Sequence, residues 1–148
     1  MKNSNGKNIP LKTLGILGHN SSENWAVEFH EDFLQEFRQF SETVRRQVYS
    51  LIEVLKVFGP QLGRPHADTL KGSKHPNMKE LRFRADDGAW RVAFAFDIAQ
   101  KAILLAGGDK SGVSQDKFYR RLIATADGRF DRHQLAVAKE KKSNGNSI

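Results

Sequence analysis

Hydrophobic residues recur every three or four positions between Glu31 and Phe58, a spacing typical of amphipathic helices. Ser41 stands within this pattern, where its hydroxyl can cap a helix, so we predict a short helix followed by a longer one. Gly59 and Pro60 end the pattern, because glycine terminates helices readily and proline cannot continue them. The segment is predicted to be a helical hairpin with one apolar face.

Alternating apolar and polar residues predict strands on both sides of this hairpin. Four strands are predicted, over residues 25–29, 78–84, 90–96 and 102–107. The turn-forming sequence Asp86-Asp87-Gly88 joins the second to the third, and residues 61–77 are predicted to be a long loop. Ser114 is expected to cap a last helix that Gly128 interrupts. This order favours an α+β fold, with helices on one face of an antiparallel-rich sheet of about four strands.

The two ends of the chain differ in composition from its middle. Residues 1–23 are rich in Asn, Ser, Gly and Lys and are predicted to be a flexible extension. Residues 139–148 are predicted to be a disordered basic tail. The length between them suits one domain with its own core, over residues 24–138.

Composition narrows the function classes. The chain has no cysteine, which removes disulfides, thiolate nucleophiles and cysteine-ligated zinc. No apolar run has the length of a membrane span or the form of a signal peptide, so a cytoplasmic protein without a membrane partner is expected. The formal net charge of +7 favours an acidic partner, either nucleic acid or protein.

Three arginines share one face of the predicted sheet. If the apolar side of the second and third strands packs on the helices, Arg82, Arg84 and Arg91 point the other way, and the small Ala93 and Ala95 leave that face open. Guanidinium groups on neighbouring strands repel one another unless an anion lies across them. The face is therefore either an anion-binding surface or a solvated one with salt bridges to nearby acids, namely Glu80, Asp86, Asp87 and Asp97.

The remaining polar motifs carry less chemistry. The loop Gly107–Gly112 follows a strand and precedes a helix, so it could hold one phosphate with help from Lys110, or be only a turn. Its spacing does not match the Walker motif, which excludes a nucleotide-binding enzyme of that type. The histidines do not have zinc-ligand spacing and no carboxylate pair of hydrolytic type is present, so neither a metal nor a cofactor is expected.

Several ordered motifs carry a resemblance to a known family. They are Arg64-Pro65-His66, Leu70-Lys71-Gly72, Lys79–Arg84 (KELRFR), Trp90–Asp97 (WRVAFAFD) and Gly108–Gly112 before a Phe-Tyr helix. In this order, over Trp25 to His133, the chain resembles the RelE/ParE superfamily of toxins, and most of all its HigB or phage Gp49-like branch.

The resemblance implies a RelE-like fold and the toxin of a type II toxin–antitoxin system. In that family the toxin is usually a metal-independent endoribonuclease that cuts mRNA on the ribosome and is inhibited by a small antitoxin, here a HigA-like helix-turn-helix protein or a similar one. The alternative within the superfamily is a ParE-like inhibitor of DNA gyrase, which binds its target and cuts nothing.

The resemblance also implies the site residues. Arg82, Arg91, Lys110 and Tyr119 match the catalytic positions, and Glu80 departs from the pattern because some relatives have a lysine there as general base. Lys110, crowded by guanidinium groups, is expected to have a lowered pKa and could replace that base. Tyr119 or Trp90 could stack a base. The residues expected to bind RNA are Lys71, Lys79, Arg84, Trp90 and Lys117.

Overall fold

The computed structural model describes residues 24–146, which form a five-stranded sheet with helices on both of its faces. The extension predicted over residues 1–23 lies outside them. The elements are β1 Val27–Phe29, α1 Glu31–Phe37, α2 Glu42–Phe58, a 3-10 turn Gly59–Gln61, β2 Ala67–Thr69, β3 Lys79–Ala85, β4 Gly88–Phe96, β5 Ala102–Asp109 and α3 Gln115–Asn146. The predicted α+β class is confirmed.

The sheet has one strand more than the sequence predicts. Its order is β1-β5-β4-β3-β2, with β1 parallel to β5 and every other pair antiparallel. The additional strand is β2, which lies in the segment predicted to be a loop and pairs with β3. Three residues are too few to display an alternating pattern, so sequence reasoning could not detect this strand.

The predicted helical hairpin and strand hairpin are both confirmed. The Ser41 hydroxyl accepts a hydrogen bond from the backbone N–H of Val44 at 3.2 Å, which caps α2, and Gly59 ends that helix. Asp86 and Asp87 join β3 to β4 with φ angles of 51° and 62°. Two consecutive left-handed residues are typical of a type I′ turn, whose twist suits a tight hairpin.

The expectation that the helices pack on one face is wrong. The side of the sheet that carries Leu81 and Val92 packs on α1 and α2, whereas the opposite side packs on α3. Ala93 and Ala95, expected to keep that second face open, are fully buried in the α3 cluster. Small side chains let a helix approach a sheet closely, so α3 packs directly on these alanines.

Helix α3 is continuous through Gly128, where the sequence predicts a break, and it extends over residues 139–146 of the predicted tail. An internal glycine costs a helix about 1 kcal/mol relative to alanine. The burial of Ala126 and Phe130 on either side offsets that cost. Although α3 is 32 residues long, neither it nor another helix of the described chain is long and apolar enough to cross a membrane.

Candidate functional site

Four side chains from three elements meet where β3 and β4 pass under the start of α3. The Tyr119 hydroxyl donates to Oε1 of Glu80 at 2.9 Å and accepts from Nε of Arg91 at 3.2 Å. Nη1 of Arg82 donates to Oε2 of the same carboxylate at 2.8 Å. Nε of Arg91 lies 3.8 Å from Oε1 of Glu80. We call these four residues the Glu80 network.

The β3–β4 hairpin brings the two arginines of this network together. Arg82 lies directly opposite Arg91 in the ladder, a position at which like charges destabilise a sheet. Glu80 precedes Arg82 by two residues, so it shares that face of the strand, and its carboxylate bonds the guanidinium of Arg82 while lying close to that of Arg91. The anion that the arginines require is therefore a side chain of the same protein.

Helix α3 places the fourth member. Ser114 caps the helix as predicted, because its hydroxyl accepts from the backbone N–H of Lys117 at 3.2 Å. Tyr119 then falls on the helix face that carries Leu122 and Ala126, which are buried against the sheet. The same packing that anchors α3 therefore directs the Tyr119 hydroxyl toward β3 and β4.

Burial determines the electrostatics of the network. Glu80 and Arg91 are 4% and 8% exposed, and charges with so little solvent are stable only when paired. Burial and the hydrogen bond to Glu80 raise the pKa of Tyr119 above its usual value, while Arg91 opposes the shift. Tyr119 is therefore a neutral hydroxyl with a proton to donate across the physiological range.

A cavity of about 270 Å³ opens beside the network. Its lining includes Glu80, Arg82 and Tyr119, together with Arg64, Asp68, Thr69, Leu70, Lys71 and Gln115. Arg64 is paired with Asp68 at 2.9 Å, whereas the ammonium of Lys71 makes no hydrogen bond or ion pair within the described residues. The cavity is therefore lined on one side by Glu80, Arg82 and Tyr119, and Lys71 contributes an unpaired positive charge to its lining.

Three predicted residues do not line this cavity. Arg84 is opposite Ala89 at the end of the hairpin, and the backbone N–H of Lys110 donates to the Ala89 carbonyl at 2.8 Å. Lys117 is exposed on the first turn of α3. Within the part of the chain that the structure describes, none of these three side chains bonds to the Glu80 network.

Two residues that the resemblance assigns to RNA binding lie on the other side of the sheet. The ammonium of Lys79 donates to the backbone carbonyls of Pro60 and Leu62 at 3.0 and 2.5 Å, beneath α2. The Trp90 ring stacks on Phe83 with centroids 6.2 Å apart, and its other ring contact is with Phe40, between α1 and α2. The structure therefore does not bring Lys79 or Trp90 to the Glu80 network.

Asp109 braces the glycine loop from within. Its carboxylate accepts from the backbone N–H of Ala89, on β4, at 3.1 Å and from that of Ser111, in the loop, at 2.9 Å, so one amide of the loop is already bonded. The Ser111 amide is therefore not available to an anion, and phosphate binding at this loop stays a prediction. Over residues 24–146, no group of three or more potential ligands is arranged to bind a metal.

Two histidines instead tie α3 to the rest of the fold. His133 bonds to the buried carboxylate of Asp97 at 2.8 Å, and His75 bonds to Asp131 at the same distance. The sequence offers Glu80 as one of four acids that could pair with the arginines, but does not single it out. The signal was available, because Glu80 shares the strand face of Arg82 and lies two residues away.

Comparisons with known proteins agree with this architecture. A family model described as phage-derived protein Gp49-like matches residues 35–131. HigB2 of Mycobacterium tuberculosis, whose name classes it as a candidate toxin, is 46% identical over 96 residues, which cover 64% of this chain and 47% of HigB2. HigB3 of the same organism, named in the same way, is 45% identical over 84 residues, or 57% of this chain and 71% of HigB3. The chain thus spans about half the length of HigB2.

A solved structure shares the fold. The toxin RelE of E. coli, as a double arginine-to-alanine variant in the free state, superposes with a TM-score of 0.51 at 16% identity, covering 68% of this chain and 95% of RelE. At that identity the likeness establishes the RelE-like fold and nothing about the site.

Proposed function

Because the chain belongs to the Gp49-like family of phage-derived proteins, we propose that it is the toxin of a type II toxin–antitoxin system and that it acts as a metal-independent endoribonuclease on mRNA. HigB2 and HigB3, both named as candidate toxins, support the first part. The Glu80 network beside a cationic cavity is the single observation that carries the second part.

The chemistry proposed for the network is attack of a ribose 2′-oxygen on the adjacent phosphorus. The bond from phosphorus to the 5′-oxygen breaks, which leaves a cyclic phosphate and a free 5′-hydroxyl. This reaction needs a proton acceptor, a proton donor and cations near the phosphoryl oxygens. It also explains a preference for RNA, since DNA lacks the attacking hydroxyl.

The residues of the network match these needs. Glu80, the carboxylate that lines the cavity, would accept the proton of the 2′-hydroxyl, and Tyr119 would donate one to the leaving 5′-oxygen. The raised pKa of Tyr119 suits the donor role. Arg82, which is more exposed than Arg91, would bind the phosphate through its planar fork, while Arg91 holds Tyr119 in place. Glu80 thus takes the base role that the sequence left unassigned.

A band of unpaired cations suggests the course of the RNA strand. Arg84 and Lys110 flank Ala89 at one end of the sheet, and Lys117, Arg120 and Arg121 lie on the first two turns of α3. Within residues 24–146, none of their side chains makes a hydrogen bond or ion pair. Cations on other helices are mostly neutralised locally, as the helix α2 pairs illustrate. Arg121 lines a separate cavity between α3 and β5, so these cations extend beyond the cavity at the Glu80 network. Unneutralised cations on one part of a surface favour a polyanionic partner.

The same surface suits the remaining proposed partners. A HigA-like or other antitoxin with an acidic segment would block RNA by covering the band, or by displacing α3 and with it Tyr119. The mRNA would be cut on the ribosome in the cytoplasm.

The proposal is tested by Arg82→Ala and Arg82→Lys, compared with Arg46→Ala, which removes an exposed arginine from α2. Brief induction in cells, followed by primer extension on mRNA, should give discrete cuts with the unaltered chain and with Arg46→Ala. Arg82→Ala should lose the cuts, and Arg82→Lys should retain few, because an ammonium cannot bind phosphate bidentately. Full cutting by Arg82→Ala would refute the assignment.

A second candidate is an inhibitor of DNA gyrase that acts by binding, in which the Glu80 network would serve only the fold. Glu80 and Arg91 are buried and neutralise each other, an arrangement that a purely structural network would also have. Double-strand breaks in DNA without cuts in mRNA, in the same induction experiment, would support this candidate over the nuclease.

A further inference from the structure

The loop between β2 and β3, residues 70–78, is bonded to α3 by two carboxylates. Asp127 accepts from the Ser73 hydroxyl at 2.5 Å and from the backbone N–H of Lys74 at 3.1 Å. Asp131 is bound by the Lys74 ammonium at 2.5 Å and by the His75 ring at 2.8 Å. The interior of the loop is therefore attached to the helix by four polar contacts, which we call the loop clasp.

The two acids of the clasp are unfavourably placed for the helix alone. Asp127 and Asp131 are four residues apart, so they lie on the same face, where like charges repel. The loop supplies what offsets this repulsion, namely a hydroxyl, a backbone amide, an ammonium and an imidazole. The Lys74 ammonium accordingly holds the pKa of Asp131 below its usual value. The clasp thus gives both acids a structural role on a helix in which basic residues outnumber acidic ones.

The loop begins and ends at two residues held by the sheet. The backbone N–H of Leu70 donates to the carbonyl of Met78 at 2.9 Å, and both side chains are buried. Between them, Gly72 has a φ of 101°, and a Cβ there would come within 3.2 Å of Ile123 on α3. The loop therefore packs closely on the helix. Lys71, which precedes Gly72 in the chain, lines the cavity beside the Glu80 network.

We propose that Asp127 and Asp131 are positioning residues, which hold the loop on α3 so that the Lys71 ammonium stands over the cavity and binds an RNA phosphate. This inference rests on the proposed function, since it assigns a substrate contact at the same site. The two carboxylates touch no substrate and act through Lys71.

The loop clasp predicts a change in RNA affinity opposite to the change that the overall charge predicts. Replacing both acids by amides (Asp127→Asn with Asp131→Asn) makes a basic protein more basic, and general electrostatics then predict tighter RNA binding. If the acids position Lys71, the double variant binds RNA more weakly, by the same factor as Lys71→Ala. One lost exposed charge contact corresponds to about a two- to fivefold rise in Kd.

The measurement is fluorescence anisotropy with a labelled single-stranded 2′-O-methyl oligoribonucleotide, which has no 2′-hydroxyl to be cut. Lys71→Ala and the double amide variant should each lower the slope of log Kd against log salt by about 0.7, the value for one phosphate contact on a single strand. Combining them should weaken binding no further, because the acids act through Lys71. Asp127→Asn with Asp131→Glu should bind the RNA more tightly than the double amide variant, because one carboxylate of the clasp is restored.

Asp32→Asn is the matched control, since this acid pairs with Arg132 of α3 and does not contact the loop. It should leave binding unchanged or slightly tighter. Ser73→Ala removes one clasp contact from the loop side and should weaken binding even if the double variant folds poorly. Unchanged or tighter binding by the folded clasp variants would overturn the inference. If Arg82→Ala also leaves RNA binding unchanged, the proposed function itself fails.

Discussion

Replacing Glu80 by glutamine is expected to destabilise the fold strongly, because it removes the negative charge from a buried cluster and leaves two positive ones. The carboxylate accepts from Arg82 at 2.8 Å and from Tyr119 at 2.9 Å, and Arg91 is 3.8 Å away. Breaking a buried ion pair by removing one partner costs about 3–5 kcal/mol. Arg82 is partly exposed and can turn toward solvent, so the lower half of that range is expected.

The assay is thermal or urea unfolding of Glu80→Gln beside Glu53→Gln. Glu53 is 70% exposed and pairs with Lys56 on the surface of α2, so its replacement should cost less than about 0.5 kcal/mol. For a domain of this size, 1 kcal/mol corresponds to roughly 3–4 °C in Tm. Glu80→Gln should therefore lower Tm by about 10 °C, and Glu53→Gln by no more than about 2 °C.

An added anion distinguishes charge from shape as the cause. In Glu80→Gln the guanidinium groups of Arg82 and Arg91 lose their carboxylate, so sulfate should bind there and raise Tm more than it does for the unaltered chain. A loss of stability equal to that of Glu53→Gln would refute the view that Glu80 neutralises this cluster. Equal effects of sulfate on both proteins would refute the view that the arginines are then open to an anion.

Two further predictions concern the same structure. Tyr49→Phe leaves Tyr119 as the single tyrosine, and its tyrosinate absorbance should appear at a pH above the usual pKa of tyrosine. Because the pKa of Tyr119 is higher in the folded state, the free energy of unfolding should fall as the pH rises above 10.0. Glu80→Gln should lower the pKa of Tyr119, because the carboxylate helps to raise it. In the core, Phe94→Ala should cost about 3–5 kcal/mol in urea unfolding because Phe94 is fully buried, whereas Phe58→Ala, at a side chain 46% exposed, should cost much less.

Much of the fold follows from local pattern. The stripe over α1 and α2 has helical spacing, and Ser41 and Gly59 mark where the longer helix begins and ends. The two-residue turn at Asp86 and Asp87 fixes the β3–β4 register, so the pairing of opposite residues across this hairpin could be worked out by counting. Local pattern does not predict which sheet face α3 packs on, because both faces are apolar enough to pack against a helix.

Local pattern also predicts part of the candidate site. Arg82 and Arg91 could be placed on one face, since alternation assigns faces residue by residue. The same rule puts Lys79 with Leu81 and Trp90 with Val92, on the side of α1 and α2, so alternation already argued against counting those two among RNA-binding residues. The structure agrees with alternation on where these two side chains lie, and their part in RNA binding stays a prediction.

The size of the side chains along the α3 face explains why a cavity forms where it does. Around Ala93 and Ala95 the sheet presents small or apolar side chains, so α3 lies directly on it and excludes solvent. Toward β3 the same face presents Glu80 and Arg82, which cannot lie under a helix without hydrogen-bond partners. Tyr119 supplies one partner for the acid, and the guanidinium of Arg82 remains at the cavity. The boundary between small and charged residues on one sheet face therefore creates a site in which a buried acid and a partly exposed arginine lie side by side, the arrangement on which the proposed cleavage depends.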